Sequence, residues 1–198
     1  MSPERFLSAA LKEWNVAVNA LEAGETAVLV RKGGIRERGG RFGVDFNPVL
    51  LYPTFEHQKP DWLKPEYRDS VEPVPSGWHP DRVRVGSWAE ITDLFSWETS
   101  RAETVADALS NFIIWNRTFL GDRLNWKPQK PLHILLLRSY KLLDPVEIPY
   151  RDAYGGCRSW IELETAVSIA RSSPVLNADE YGELGDRLRD TIRSVSGD

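Results

Sequence analysis

Cysteine and histidine are both scarce in this sequence, and their scarcity limits the kinds of site that it can build. A single cysteine, Cys157, leaves no partner for an internal disulfide. The three histidines, at positions 57, 79 and 133, lack the ligand spacing of a structural zinc site. Disulfide-stapled and zinc-stapled folds are therefore excluded, and we expect Cys157 to be a small buried residue rather than a nucleophile.

Long apolar runs and a positive charge balance are also missing. No run approaches the roughly 20 apolar residues that a membrane-spanning helix needs, and the first residues lack the pattern of a secretory signal. We therefore expect a cytoplasmic protein with no membrane partner. The formal net charge of −4 argues against nucleic-acid binding along a broad basic surface, although a local basic patch is compatible with it.

The sequence does contain enough apolar material for a core. Its 198 residues are 41% hydrophobic and 27% charged, which is typical of one globular domain spanning 1–198. Apolar residues recur every three or four positions from Pro3 to Leu21, which predicts an amphipathic helix that Gly24 ends. Short apolar runs then predict strands at Thr26–Arg31 and Phe42–Tyr52, followed by an irregular crossover, rich in proline and tryptophan, at about 59–80.

The second half of the sequence mixes strand and helix patterns. Strands are predicted at Arg82–Ile91 and His133–Leu142, with short ones at Val146–Ile148 and after Tyr154. A helix is predicted from about Arg101 to Leu120, and a polar helix at about 174–195. Together these elements predict an α+β fold with a mixed, mostly antiparallel curved sheet, or a partly open barrel, and flanking helices.

A basic, glycine-rich loop joins the first two predicted strands. Glycine pairs at 33–34 and 39–40 free the backbone for a hairpin whose amide groups can cradle an anion. Five cations add a favourable potential for phosphate: Arg31, Lys32, Arg36, Arg38 and Arg41. Glu37 lies among them, either as an ion-pair partner or as an acceptor for a base edge. The alternative is a solvated hairpin tip without a specific ligand.

The segment from Tyr52 to Gln58 places an acid, an imidazole and an amide directly after an apolar strand. Because Glu56, His57 and Gln58 follow two aromatic residues, Tyr52, His57 and Gln58 are predicted ligand-binding residues. A hydrogen-bonded structural role for His57 is the simpler alternative to a general base.

A magnesium-dependent nuclease of the restriction type is the catalytic alternative for the same segment. In that hypothesis Asp45 and Glu56 bind Mg²⁺, Gln58 stands in the place usually held by lysine, and Glu13 assists. No complete catalytic signature is present, so we predict no cofactor outside this alternative.

The segment Tyr154–Trp160 is the other concentration of chemically capable residues. Two glycines allow a sharp bend, after which Arg158 projects beside Trp160 in a pairing suited to stacking and to phosphate or carboxylate contacts. Strand alternation predicts that Arg138 and Tyr140 present a polar face to the same cleft. A single site forms only if this segment folds back against Tyr52–Gln58.

Five motifs carry a resemblance to a known family. The segments LKEW, LVRKGGIRE, LLYPTFEHQ, LLLRSYKL and YGGCRSW, in this order, resemble the bacterial family catalogued as domain of unknown function 1802. The resemblance covers nearly the whole chain and implies no particular activity. More loosely, a helix followed by GETAVLVRKG is similar to the start of PUA-like barrels of the ASCH kind, with Thr26 and Ala27 where that motif prefers a lysine.

The function predicted from these observations is a binding module for a nucleotide, RNA or DNA. The basic hairpin and the turn that carries Arg158 and Trp160 are its predicted contacts. A structural or partner-binding protein without catalysis is the third hypothesis, and the sequence leaves the oligomeric state open.

Overall fold

The computed structural model describes residues 6–32, 35–38, 41–97, 102–156 and 158–196, with the backbone alone at 36–38, 41–43, 102–103, 105–106 and 196. The elements are β1 Phe6–Trp14, α1 Asn15–Ala23, β2 Val28–Arg31, β3 Arg36–Arg38, β4 Arg41–Gly43, β5 Val49–Thr54, α2 Pro65–Arg68, β6 Arg82–Trp97, α3 Ala102–Leu109, α4 Arg117–Asn125, β7 Leu132–Pro149, β8 Trp160–Ser168, β9 Ser172–Pro174 and α5 Ala178–Ser196. Single 3-10 turns lie at Pro60–Trp62 and Asp152–Tyr154. No helix in these ranges is long and apolar enough to cross a bilayer.

Seven strands form one sheet, in the order β2-β7-β6-β5-β1-β8, with β9 added along β7. Neighbouring strands run antiparallel except β1 and β5, which run parallel. Strands β3 and β4 form a separate two-stranded hairpin. The ladders leave the sheet open rather than closed into a barrel, since its path ends at β2 and β8. The predicted α+β class, with a mixed and mostly antiparallel sheet, is confirmed.

The sheet separates between its two central strands. The pairing of β5 with β6 comprises Val49 opposite Ala89 and Leu50 opposite Trp88. Beyond Leu50, strand β5 continues along β1, while β6 runs back along β7 as far as Arg82. The gap between them opens at the edge where β1, β5 and β7 end and where β6 and β8 begin.

Both faces of the sheet are covered by apolar residues. The larger core lies under α1, α3, α4 and α5, which contribute Leu21, Leu109, Leu120 and Leu188. A smaller core on the other face is formed by strand residues and by the turn before β8, including Leu50, Tyr52, Val83, Tyr154 and Ile161. The open gap between β5 and β6 lies at the border of this smaller core.

The predicted helix at Pro3–Leu21 is wrong over its first half, where Phe6–Trp14 forms strand β1. Strand β1 lies between β5 and β8, and its neighbours Ala10 and Leu11 are both fully buried, one in each core. A strand that is covered on both faces loses the apolar-polar alternation that identifies strands, so its apolar spacing resembles that of a helix. The helix is limited to α1, which ends as predicted at Gly24, in the left-handed conformation with φ of 74°.

The predicted helix from Arg101 to Leu120 is two helices, α3 and α4. The segment between them forms backbone hydrogen bonds to the crossover instead, from the Lys64 N–H to the Ile114 oxygen and from the Asn116 N–H to the Trp62 oxygen, each at 3.0 Å. Asn116 then caps α4 by accepting the Phe119 N–H at 3.1 Å. These tertiary hydrogen bonds override the helical apolar spacing.

Candidate functional site

A pocket of about 350 Å³ lies at the sheet edge where β5 and β6 separate. Its lining comes from the ends of β1, β5 and β7, the start of β6, the loop Trp78–Pro80 and the turn at Tyr154–Gly155. Strand ends and turns supply nearly every wall, which is where folds usually present ligand-binding groups.

The register of β1 brings the two predicted segments together. Lys12 is opposite Tyr52 in the parallel pairing with β5, so both side chains point to the same face. On its other side, the Lys12 N–H donates to the Ser159 oxygen at 2.8 Å, just before β8 begins. The Lys12 ammonium donates to the Tyr154 oxygen at 2.5 Å and to the Gly156 oxygen at 2.9 Å. The segments LLYPTFEHQ and YGGCRSW therefore meet, with Lys12 joining them.

Aromatic rings contribute several of the pocket walls. The Tyr52 and Tyr154 rings meet edge to face with centroids 6.0 Å apart, and those of Phe55 and Trp78 do so at 5.7 Å. The Trp78 side chain is 42% exposed, so part of this large ring faces outward. The Tyr52 and Tyr154 rings are each only 2% exposed, so Trp78 provides the surface that a planar ligand can reach.

The stacked rings of Tyr150 and His79 form the third aromatic group of the pocket, and the backbone at Gly155 passes close to Tyr150. The rings of Tyr150 and His79 are stacked, with centroids 3.4 Å apart and an interplanar angle of 11°. A Cβ atom at position 155 would lie 2.6 Å from the Tyr150 hydroxyl, so glycine is needed there for the tyrosine to stay in this position. Burial, together with the carboxylates of Asp152 and Glu56, raises the pKa of Tyr150 and keeps its hydroxyl protonated.

The hydroxyl of Tyr52 is a polar group of the pocket whose hydrogen bonding is unsatisfied. It is buried, and no described residue offers it a hydrogen-bond partner. Burial, reinforced by Tyr150 and Tyr154, raises the pKa of Tyr52 well above its ordinary value, so this hydroxyl is a proton donor at any physiological pH. A buried hydroxyl without a partner costs free energy, and a ligand acceptor would remove that cost.

Glu56 supplies an acceptor at the rim. Its Oε1 accepts the Gly77 N–H, which ties the end of the crossover to the end of β5. The His57 Nε2 lies 4.0 Å from the same oxygen, on a ring that is 69% exposed. Because both contacts use Oε1, Oε2 can accept a hydrogen from a ligand.

Several predicted site residues are instead engaged in holding the fold together. The Gln58 side-chain oxygen accepts the Val16 N–H at 3.1 Å and so caps the start of α1. Arg31 forms an ion pair with Glu13 at 2.7 Å. Lys32 is 5% exposed and donates to the Leu124 oxygen at 2.7 Å, and burial lowers the pKa of this ammonium.

The structure does not bring together the residues that the nuclease hypothesis requires. Asp45 precedes β5 and Glu56 follows it, so the whole strand, at about 3.3 Å per residue, separates the two carboxylates. Glu13 is committed to Arg31, and Gln58 to the helix cap. Within the described ranges, no group of three or more His, Cys, Asp or Glu residues is placed to hold a metal ion.

The remaining predicted residues are distributed over the surface and a second region. Arg158 is exposed, and its N–H donates to the oxygen of Gly156, beside the pocket turn. Trp160 packs against the larger core. Arg138 lines a separate cleft, and the Tyr140 ring is stacked on Trp88 at a centroid distance of 4.1 Å.

The tip of the basic hairpin is described by its backbone. Arg36–Arg38 pairs with Arg41–Gly43 in an antiparallel ladder, as the glycine pairs predict. The side chains of Glu37 and Arg38, and residue Cys157, lie outside what the structure describes.

Among the pocket residues that sequence reasoning missed are Lys12, Trp78, His79 and Tyr150. Lys12 was hidden in the predicted helix, and its place in the pocket depends on the register of β1. The two aromatic residues of the crossover and Tyr150 follow proline-rich or strand-end sequence, which signals a turn but not its neighbours. Tyr154 was recognised as part of a turn but not as a pocket wall.

Comparison with known proteins gives a family and distant structural similarity. The crystal structure of ASCH from Zymomonas mobilis matches with a TM-score of 0.45 at 13% identity, covering 90% of this chain and 93% of that chain. Crystal structures of two single-residue mutants of the same protein match with a TM-score of 0.44 at 12% identity, covering 90% of this chain and 94% and 96% of theirs. No curated protein matches the sequence. The family model described as domain of unknown function (DUF1802) matches residues 10–187, so the resemblance found in the sequence is confirmed and the chain belongs to this family.

Proposed function

We propose that the protein binds a nucleotide, either free or as an unpaired nucleotide of RNA or DNA, with its base held in the aromatic pocket. The observation that carries this proposal is the buried Tyr52 hydroxyl, which lacks a partner among the described residues and lies in a pocket walled by aromatic rings. A planar group with hydrogen-bond acceptors on its edge suits both features.

Size and surface favour a base over a larger ligand. The pocket is small, about 350 Å³ including the space open to solvent at its mouth, which supports a compact, flat group. Stacking of a base on an aromatic side chain contributes about 1 to 3 kcal/mol and tolerates every base, because each has a π face. Trp78, which lines the pocket and is 42% exposed, is the ring best placed for such stacking.

The polar groups of the pocket determine how the base is oriented. The Tyr52 hydroxyl donates to a ring nitrogen or carbonyl oxygen of the base, and Glu56 Oε2 accepts from an exocyclic amine or a ring N–H. Lys12, held by two backbone oxygens, gives this end of the pocket a positive charge.

Phosphate recognition is assigned to Arg158. This exposed guanidinium follows the Tyr154–Gly156 turn by two residues, and it forms no ion pair with any carboxylate of the described residues. Because the net charge is −4, we expect contact with one or two phosphates rather than a long basic track. Affinity should therefore depend on the pocket more than on the number of nucleotides.

The test is a titration of intrinsic tryptophan fluorescence with nucleoside monophosphates and with single-stranded RNA and DNA, at low and moderate salt. Trp78→Ala should weaken binding about tenfold, the loss expected for one stacked base. Trp126→Ala is the matched control, since Trp126 is exposed to a similar degree, 47% against 42%, and does not line the pocket.

Tyr52→Phe separates a ligand contact from a structural role. The variant keeps the ring and removes the partnerless hydroxyl, so the free protein should be as stable as the parent or slightly more stable. Binding should nevertheless weaken about fivefold, as expected for the loss of one hydrogen bond. No saturable binding of any nucleotide or single strand at low salt, where electrostatic affinity is greatest, would refute the proposal.

A further inference from the structure

A cluster of charged and aromatic residues lies on the larger-core side of β1, across the strand from the aromatic pocket. Lys12 and Glu13 are consecutive in β1, so Lys12 faces the pocket and Glu13 faces the larger core. The Glu13 Oε1 accepts the Trp14 N–H at 2.9 Å, and its Oε2 accepts from the Arg31 Nη1 at 2.7 Å. Because Arg31 ends β2, this ion pair joins two strands that are not neighbours in the sheet.

Arg123, in α4, adds a second guanidinium beside this ion pair. Its neighbour Leu124 accepts from the Lys32 ammonium at 2.7 Å, and Lys32 directly follows Arg31, so the ends of α4 and β2 are in contact. Burial lowers the pKa of Arg123, the Glu13 carboxylate raises this pKa, and the Arg31 guanidinium lowers it. The two guanidinium groups and the carboxylate are therefore close enough to act on one another.

Two aromatic rings hold the Arg123 guanidinium in this position. Its Cζ atom lies 5.0 Å from the ring centroid of Phe119 and 5.9 Å from that of Trp62. The Trp62 ring is in turn stacked on Trp14, with centroids 6.0 Å apart and an interplanar angle of 9°. The rings attract the cation through their π faces, but they offer no oxygen acceptor to its N–H groups.

The Arg123 guanidinium lacks a counter-charge of its own. Its Nε is buried and finds no hydrogen-bond partner among the described residues. None of the ion pairs in the described part of the chain includes Arg123, and both oxygens of Glu13 already accept from other groups. A partly buried cation in this state is costly unless an anion approaches it.

Arg31 also retains donors for a ligand. It donates to the Lys12 oxygen at 3.1 Å and to Glu13, and both hydrogen bonds come from Nη1. Its Nη2 and Nε form no hydrogen bond with the residues that the structure describes. Two guanidinium groups therefore face one carboxylate, with N–H groups to spare on each of them.

We propose that this cluster binds a small oxyanion, a phosphate or carboxylate group, between the guanidinium groups of Arg123 and Arg31. The donors decide the class of ligand, because a guanidinium offers N–H groups alone and matches the spacing of two oxygens on either group. The site lies on the other face of β1 from the aromatic pocket, so this binding does not depend on a nucleotide.

The test measures the unfolding free energy of the full chain in denaturant at rising concentrations of inorganic phosphate, acetate or chloride, at equal ionic strength. A bound anion stabilises the folded state in a saturable way, and chloride controls for general screening. Phosphate also stabilises proteins through exclusion from their surface, so each anion is compared between the parent and its variants. Stabilisation by phosphate, by acetate or by both, beyond chloride, supports the proposal and identifies the group.

Three variants locate the response. Arg123→Met removes the cation and keeps an unbranched stem, and it should weaken the anion about tenfold or more, the loss expected for hydrogen bonds to a charged group. Arg123→Lys and Arg31→Lys keep a positive charge, and the second keeps a cation for Glu13. Each should weaken the anion about threefold to tenfold, the loss expected for one hydrogen bond.

Arg138→Met is the matched control. The Arg138 guanidinium also lies near two aromatic rings, at 5.8 and 5.5 Å, and its Nε is likewise buried without a described partner. It is separated along β7 from His133, the residue opposite Arg31, by roughly 16 Å at the usual strand rise, so Arg138→Met should respond as the parent does.

Two results would overturn the proposal. One is a parent protein that phosphate and acetate stabilise no more than chloride does. The other is an undiminished anion response in Arg123→Met, or in Arg123→Lys if the methionine variant does not fold, which would show that the anion binds elsewhere.

Discussion

Acidification should destabilise this protein through one buried histidine. His133, the second residue of β7, is 3% exposed, and its Nδ1 lies 2.8 Å from the Ser96 Oγ on β6. Burial lowers the pKa of His133 from 6.5 to about 4. The folded protein therefore holds a neutral imidazole at a pH where the unfolded chain carries an imidazolium.

The sign and size of the effect follow from this difference. Between about pH 6.5 and pH 4 the unfolded state binds one more proton than the folded state, so the unfolding free energy falls as the pH falls. Applied to the pKa of about 4 in the fold and 6.5 unfolded, the linkage relation gives a loss of about 2 kcal/mol between pH 7.5 and pH 5.0. This window lies above the ordinary pKa range of carboxyl groups, which limits their contribution.

Urea denaturation of the parent and of His133→Gln at both pH values measures the effect. The glutamine retains a hydrogen-bonding side chain for Ser96 but cannot titrate, so its stability should change about 2 kcal/mol less than that of the parent over the same interval. If the parent and His133→Gln lose the same free energy on acidification, His133 is not buried as a neutral imidazole and the reasoning fails.

Two further stability predictions concern side chains that connect distant elements. Gln58→Leu removes the acceptor of the buried Val16 N–H and should lower the free energy of unfolding by about 1 to 2 kcal/mol in chemical denaturation. Gln58→Glu keeps the acceptor and should lower it much less. Equal losses of stability in the two variants would contradict a capping role. Arg189 donates to both oxygens of Asp93, at 3.0 and 2.8 Å, so Arg189→Lys should cost about 1 to 2 kcal/mol at neutral pH. Hydrogen bonds from Arg189 lower the pKa of Asp93, so this stabilisation is present above the ordinary carboxyl pKa and is lost as the pH falls through the lowered value. A difference in stability between parent and Arg189→Lys that does not shrink as the pH is lowered below the ordinary carboxyl pKa would contradict it.

The sequence predicted the α+β class and the main strands, because local patterns carry that information. The apolar run at His133–Leu142 identifies the core of β7, and Gly24 marks the end of α1 correctly. Strand β1 was missed because both of its faces are buried, so it shows no alternation. The break between α3 and α4 was missed because it depends on hydrogen bonds to the crossover around Trp62, which no local pattern contains.

The candidate site was predictable only in part, for a similar reason. Tyr52 and the Tyr154–Gly156 turn could be selected because each combines reactive or aromatic groups with a strand end. Whether they meet depends on strand order, which places β5 and β8 on either side of β1. Lys12 acquires its role from that order alone, since nothing in the sequence around it distinguishes it from a surface lysine.

The pocket is a consequence of the one parallel pairing in the sheet. Because β1 and β5 run in the same direction, Lys12 and Tyr52 approach their strand ends at the same edge, and the antiparallel β8 begins there too. The pair β6 and β7 brings Val83 and Tyr150 to that edge from the other side. Since β5 has already left β6 at Leu50, the space between the two pairs is not filled by the ladder. A side chain of the smaller core, Tyr52, thus reaches a ligand-sized opening with its hydroxyl unpaired, which is why stability and ligand binding should respond in opposite directions to its removal.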